Sequence, residues 1–236
     1  RASVNGRYIN PEMGRVWSAE NKTDKWLLVE IAACEAWAEM GVVPKDALEK
    51  IRKARYDLKR MAEFEAQTQH DVTAFLLSVA ESLGDESRFV HLGMTSYDIV
   101  DTGLALQVIE AADILDKDIA GLLEVLERRA VEFRDTPMIG RTHGVHAEPI
   151  TFGWKLAVWV DEMRRNRARL GDAREGMAVG KLSGAVGTYA TSDPFIEEYV
   201  CRLLGLKPAN ASTQVIQRDR HAHFITTLAV IASSLD

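Results

Sequence analysis

The sequence predicts an all-α protein, with a small N-terminal helical domain over residues 1–92 and an elongated bundle of long helices over 93–236. Three observations lead there. Apolar residues recur at spacings of three, four and seven, while runs alternating apolar and polar side chains are almost absent. Between Asp98 and Phe133 there is no proline, and the only glycines are Gly103 and Gly121. Nothing there interrupts a helix of roughly 35 residues, about 50 Å at 1.5 Å per residue. The shorter periodic segments before it are bounded by residues that start and stop helices.

Taken in order, Ser18 is placed to cap a helix carrying Trp26, Leu27, Val29, Ile31, Ala33 and Trp37, which Gly41 ends. A second helix is expected over 46–54, a third opening near Asp57, and a fourth over 71–83 stopped by Gly84. The long helix carries Leu104, Val108, Leu115, Ile119, Leu122, Val125, Leu126 and Ala130 as its stripe. Pro149, a good first-turn residue, is expected to open a second long helix running to about Met177. Its Arg164, Arg165, Arg167 and Arg169 read as solvated charge or as helix–helix contact across subunits. Asp193-Pro194 starts a shorter helix closed by Gly205, and 218–235 forms another. Helices this long need long partners, so an oligomeric bundle is the economical architecture. The chain begins with Arg1 and ends at Asp236 without a cap, and is expected to be part of a longer protein, cut before its C-terminal portion.

Composition narrows the function. Hydrophobic residues are 47% and charged residues 27% of the 236, globular proportions that exclude disorder and low complexity. The formal charge of −6 argues against a general nucleic-acid or anionic-membrane binder, leaving a small molecule as the expected partner. Any anionic ligand would be held by a few placed cations. Cys34 and Cys201 share no CxxC spacing, which disfavours a disulfide framework or a cysteine zinc site and fits a reducing cytoplasm. No apolar run approaches membrane-spanning length, and the N-terminus lacks a secretion pattern.

Five polar clusters carry the chemistry. Thr68, Gln69, His70 and Asp71 stand at a helix start, where Asp71 equally serves the helix dipole. His91, Thr95 and Ser96 precede the long helix, where hydroxyls either cap it or bind a phosphate or carboxylate. GRTHGVHAEP at 140–149 lies in the connection between the two long helices. His143 and His146 followed by Glu148 can be read as metal ligands, but no matching ligand set appears elsewhere. Proton transfer by His143 is the better chemical reading. GKLSGAVGT at 180–188 has no P-loop order and reads as a tight loop open to close ligand approach, or merely a corner. Finally, Gln214 in STQ can recognise a base or carboxylate edge, while Arg218 and Arg220 can pair with Asp219.

Together these segments resemble the fumarase/aspartase superfamily of lyases, and within it the adenylosuccinate lyase family. The matching stretches are Arg7-Tyr8, His70-Asp71-Val72, His91 through Thr95-Ser96 to Asp98, Asp101-Thr102, GRTHGVHAEPITFG at 140–153, GKLSGAVGTYA at 180–190, and STQV with RDRHAHF at 212–224. The resemblance implies a homotetramer on a central helical bundle, each active site drawing on three subunits. It implies β-elimination of fumarate from adenylosuccinate and from the succinyl-carboxamide ribotide of purine synthesis. By position it implies that His143 is the general acid and that Arg7 and Tyr8 hold the nucleotide phosphate. Gln69, His70, Asp71, Thr95, Ser96, Thr142 and Gln214 would contact substrate, and His91 and Lys181 would support the pocket. No metal or other cofactor is required. The chain departs from the family in carrying Gln217 where proline is usual before RDRH. The family's mobile loop, which supplies the base serine, would lie beyond Asp236, so this chain alone is expected to be inactive. The competing readings are another lyase of the superfamily, and a non-catalytic or metal-binding helical bundle.

Overall fold

The computed structural model describes residues 6–235; Arg1 and Asp236, on which the reading of the two ends turns, lie outside them. After a 3₁₀ turn at Gly6–Tyr8 come α1 (Pro11–Val16), α2 (Ala19–Glu39), α3 (Lys45–Ile51), α4 (Leu58–Thr68), α5 (Asp71–Leu83) and a second 3₁₀ turn, Gly84–Phe89. The long helix is α6 (Ser96–Glu132). It leads to strands β1 (Pro137–Thr142) and β2 (Val145–Thr151), then α7 (Phe152–Met177), β3 (Val179–Gly180), α8 (Pro194–Leu204), β4 (Lys207–Pro208) and α9 (Asp219–Ser233). The fold is helical, as the periodicity predicts.

The punctuation residues act as expected. The Ser18 hydroxyl accepts from the Asn21 N–H, and the Asp57 carboxylate accepts from the N–H groups of Lys59 and Arg60. Gly84 and Gly205 close α5 and α8 at positive φ.

The region before α7 departs from expectation. Pro149 does not open the helix; it lies in β2 opposite Ile139, and α7 begins at Phe152. β1 and β2 form an antiparallel hairpin with a register shift between Ile139 and Arg141. A two-stranded ribbon leaves edge positions where proline's missing N–H costs no ladder bond. Smaller differences concern α3, which stops at Ile51, and α9, which closes at Ser233 with Ser234 as its cap.

The chain forms two compact units that do not coincide with segments 1–92 and 93–236. The first gathers the chain up to Glu110 with Ala178–Gln217. Its core joins Trp26, Val29 and Ala33 of α2 to Val72, Phe75 and Val79 of α5, Ile99 of α6, Leu182, and Ile196 and Val200 of α8. Phe75 meets Trp26 edge-on, centroids 5.7 Å apart. The second unit holds Ala111–Met177 with the chain from Arg218. There Ile119, Leu123 and Leu126 of α6, Leu156, Val160, Met163 and Leu170 of α7, and Phe224 of α9 are buried. The arginine face of α7 makes ion pairs within this unit: Arg167 with Asp116 at 2.7 Å, Arg174 with Asp113 at 2.6 Å and Arg164 with Glu127 at 2.7 Å.

Candidate active site

In the first unit, α2 sets the segment that precedes α6. Glu30, Cys34 and Trp37 share one helical face, and all three reach the chain at 89–92. The Cys34 thiol donates to Phe89 O at 3.4 Å and the Trp37 indole N–H to Leu92 O at 3.1 Å. The Glu30 carboxylate accepts the His91 backbone N–H at 2.8 Å and lies 2.6 Å from His91 Nδ1. His91 itself sits at φ 66. Burial lowers the pKa of its ring, but the hydrogen bond and charge of Glu30, with the charge of Asp98, outweigh that and raise it. Burial pushes the Cys34 thiol up to about 12, with help from Glu30 and Glu35, so it is no nucleophile at neutral pH.

Asp98 is the hub of the next layer. One carboxylate oxygen accepts the Thr95 N–H at 2.8 Å, the reciprocal half of a capping box. The other takes the Lys181 ammonium at 2.5 Å, which also donates to Gly184 O at 2.7 Å. Both side chains are fully buried, so Lys181 ties the 180–188 loop to the start of α6. Glu197 of α8 completes the brace, accepting the Leu182 N–H and the Tyr189 hydroxyl, each at 2.7 Å. Burial raises the pKa of Glu197, against those two donors. The loop closes through Tyr189 N–H to Ser183 O at 3.0 Å, and Ser183 Oγ meets Ser212 Oγ at 2.8 Å. At Gly187, φ +82, a Cβ would stand 2.1 Å from Ser212 O, so only glycine allows this approach to the segment bearing Gln214. That segment is pinned by the Ile216 N–H, which donates to Asp101 at 2.8 Å. Gln214 is exposed beside it.

His70 is the N-cap of α5, its Nδ1 accepting the Thr73 N–H at 3.4 Å. The neutral ring therefore carries its proton on Nε2, which Ser96 Oγ meets at 3.4 Å. Two expected contact residues from separate clusters are thus brought together, with Gln69 (φ 54) and Asp71 flanking His70. Arg7 stacks on Tyr8 at 5.4 Å, both exposed.

His143 belongs to the second unit. It occupies the β1–β2 turn with Gly144, at φ 52 and 74, the paired positive dihedrals of a type I′ hairpin. Thr142 pairs with Val145 across that turn, and both Thr142 and His143 are exposed. Arg220 donates to Gly176 O at 2.8 Å, satisfying a carbonyl at the end of α7. Among the described residues, no group of three His, Cys, Asp or Glu side chains is arranged to hold a metal ion.

The non-glycine residues with left-handed backbone among those described are Gln69, His91, His143 and Tyr189. The first three fall in the polar clusters and Tyr189 directly follows the 180–188 loop, and such strain concentrates where function maintains it. Sequence reasoning missed Glu30 and Glu197. A charge inside the apolar run Trp26 to Ala33 was the signal for Glu30, since an acid at such a position must be paired.

A family model described as lyase matches residues 6–236. The chain belongs to this lyase family. Within it, the chain is 54% identical over 231 residues to the adenylosuccinate lyase of Bacillus subtilis (strain 168), covering 98% of this chain and 54% of that protein. It is 53% identical over 234 residues to the adenylosuccinate lyase of Aquifex aeolicus (strain VF5), with the same coverage of each. Among solved structures, a fumarate lyase from Mesorhizobium sp. BNC1 superposes with TM-score 0.91 at 29% identity, over 99% of this chain and 57% of that one. A 3-carboxy-cis,cis-muconate lactonizing enzyme from Pseudomonas putida gives 0.90 at 32% identity, over 97% of this chain and 54% of that one. The chain spans about half the length of the curated family members it matches.

Proposed function

We propose that this chain is part of an adenylosuccinate lyase, a carbon–nitrogen lyase that eliminates fumarate from adenylosuccinate to leave AMP. The same chemistry would cleave the succinyl-carboxamide ribotide of purine synthesis. The observation that carries this reading is identity above half, over 98% of the chain, to adenylosuccinate lyases from separate organisms. The geometry fits the chemistry it requires. A base removes the proton beside a carboxylate, the C–N bond breaks, and the departing nitrogen receives a proton as fumarate leaves.

In this reading His143 delivers that proton, a step worth roughly 10²–10⁴-fold. Ser96, Thr95 and the amides of the 184–187 loop stabilise charge developing on the succinyl carboxylate. His70 orients Ser96 through Nε2. Arg7 and Tyr8 hold the phosphate, and Gln69, Asp71, Thr142 and Gln214 complete the contacts. The residues themselves supply the acid and the anion donors, so the reaction is assigned no metal or other cofactor.

The enzyme is a cytoplasmic homotetramer, with His143 meeting the His70–Ser96 pair of another copy. Exposed Val131, Val145, Trp154, Val158 and Trp159 on the second unit support such burial.

The test is fumarate release by the protein at the length of its relatives, offered adenylosuccinate, argininosuccinate and carboxymuconate in turn. Turnover of adenylosuccinate alone is the expected result. Preference for either other compound would favour a different lyase of the superfamily.

A further inference from the structure

His91 has a supporting place in the pocket under the lyase reading, and the carboxylate behind it has no part there. Glu30 is 1% exposed, on α2 among the buried Trp26, Val29, Ala33 and Cys34. A buried carboxylate is retained only when its oxygens are bonded, and both oxygens of Glu30 are spent on one residue. Oε2 takes the His91 backbone N–H at 2.8 Å and Oε1 faces Nδ1 at 2.6 Å. Cys34 and Trp37 hold the flanking carbonyls, so the segment is fixed from one side by three α2 side chains. The charged groups facing the ring are Glu30 from α2 and Asp98 from α6, and Asp98 is itself neutralised by Lys181.

We propose that Glu30 is a positioning residue for His91: its carboxylate keeps the imidazole proton on Nδ1 and presents Nε2 as the nitrogen that meets the ligand. The His91 backbone N–H can only donate, so it occupies one acceptor permanently. An ionised acid has a second acceptor for Nδ1–H. A glutamine does not: its single carbonyl must go to the backbone N–H, and its amide then donates to Nδ1, forcing the proton to Nε2. Glu30→Gln therefore keeps volume and the backbone bond while inverting the tautomer, as when any carboxylate that orients a histidine becomes an amide. Glu30→Asp keeps the charge.

This rests on the lyase reading only for what Nε2 contacts. The test is made on the protein at the length of its relatives, with the His91 ring nitrogens followed by NMR beside steady-state kinetics. In the unaltered protein, the neutral ring should show a protonated Nδ1. Glu30→Gln should show a protonated Nε2, a lower ring pKa, and kcat/KM down by about tenfold to a hundredfold, the size of one charge-assisted hydrogen bond. Glu30→Asp should retain the Nδ1 proton and recover part of the loss. An Nε2 proton in the unaltered protein would overturn the assignment, as would a Glu30→Gln protein with an inverted tautomer and full kcat/KM. If the unaltered protein released no fumarate, the lyase reading would fall, while its His91 tautomer would still decide what Glu30 does.

Discussion

The start of α6 and the tip of the β1–β2 hairpin are built in opposite ways. Around α6 the polar groups are bonded to one another inside the first unit: Asp98 to Lys181, Glu30 to His91, Glu197 to the 182–189 loop. At the hairpin tip, Thr142 and His143 stand on strained or extended backbone in the open. The first region is a scaffold whose members cost stability when removed, because each leaves a buried partner unsatisfied. The second has no such buried partners, so on the proposed reading its removal should cost chemistry and not stability. Four changes would sharpen or break that contrast.

The largest effect belongs to Asp98. Asp98→Ala strands the Lys181 ammonium in the interior, and breaking a buried pair this way typically costs about 3–5 kcal/mol. Urea unfolding should show that loss, and a variant within ~1 kcal/mol of the parent would remove the scaffold argument. His143→Asn should lower fumarate release by about 10²–10⁴-fold, with unfolding free energy within about 0.5 kcal/mol, as for surface positions. Asparagine tolerates left-handed backbone, so a large stability loss would mean the tip is structural.

A smaller, pH-dependent effect comes from the Glu30–His91 contact. Its folded pKa is raised above the ordinary 6.5, so its stabilisation is full below that value and is lost as pH rises through the raised one. The stability advantage over Glu30→Gln should therefore be widest in acid and narrow toward alkaline pH; the reverse trend would contradict the pairing. Least affected is the exposed ion pair of Arg167 with Asp116, where Arg167→Ala should cost no more than about 1 kcal/mol, and less in high salt.

The long helices were legible because their signal is local. Spacing of apolar residues, Ser18, Asp57, Gly84 and Gly205 mark elements without reference to anything distant. The hairpin was not, because β2 contains Pro149, which also suits a helix start, and the β1–β2 register shifts between Ile139 and Arg141. His143-Gly144 was the overlooked turn signal, with both residues at positive φ. In the candidate site, the polar clusters were visible as residue types, and the His70–Ser96 contact joins two of them. Partnerships across long separations were not legible. Nothing in the sequence says that Glu30 faces His91, 61 positions on, or that Lys181 is wholly buried against Asp98. Such pairings are set by packing, and packing is what a linear pattern leaves open.

The central claim is that the α6 cluster and the hairpin serve one reaction from different copies of the chain. Its most direct measurement mixes two variants at the length of the relatives, Ser96→Ala and His143→Asn, each expected to be strongly impaired in fumarate release, and lets their subunits exchange. The account predicts that activity returns, because some sites then combine an intact Ser96 from one copy with an intact His143 from another. A mixture that exchanges subunits yet stays as inactive as its components would contradict it.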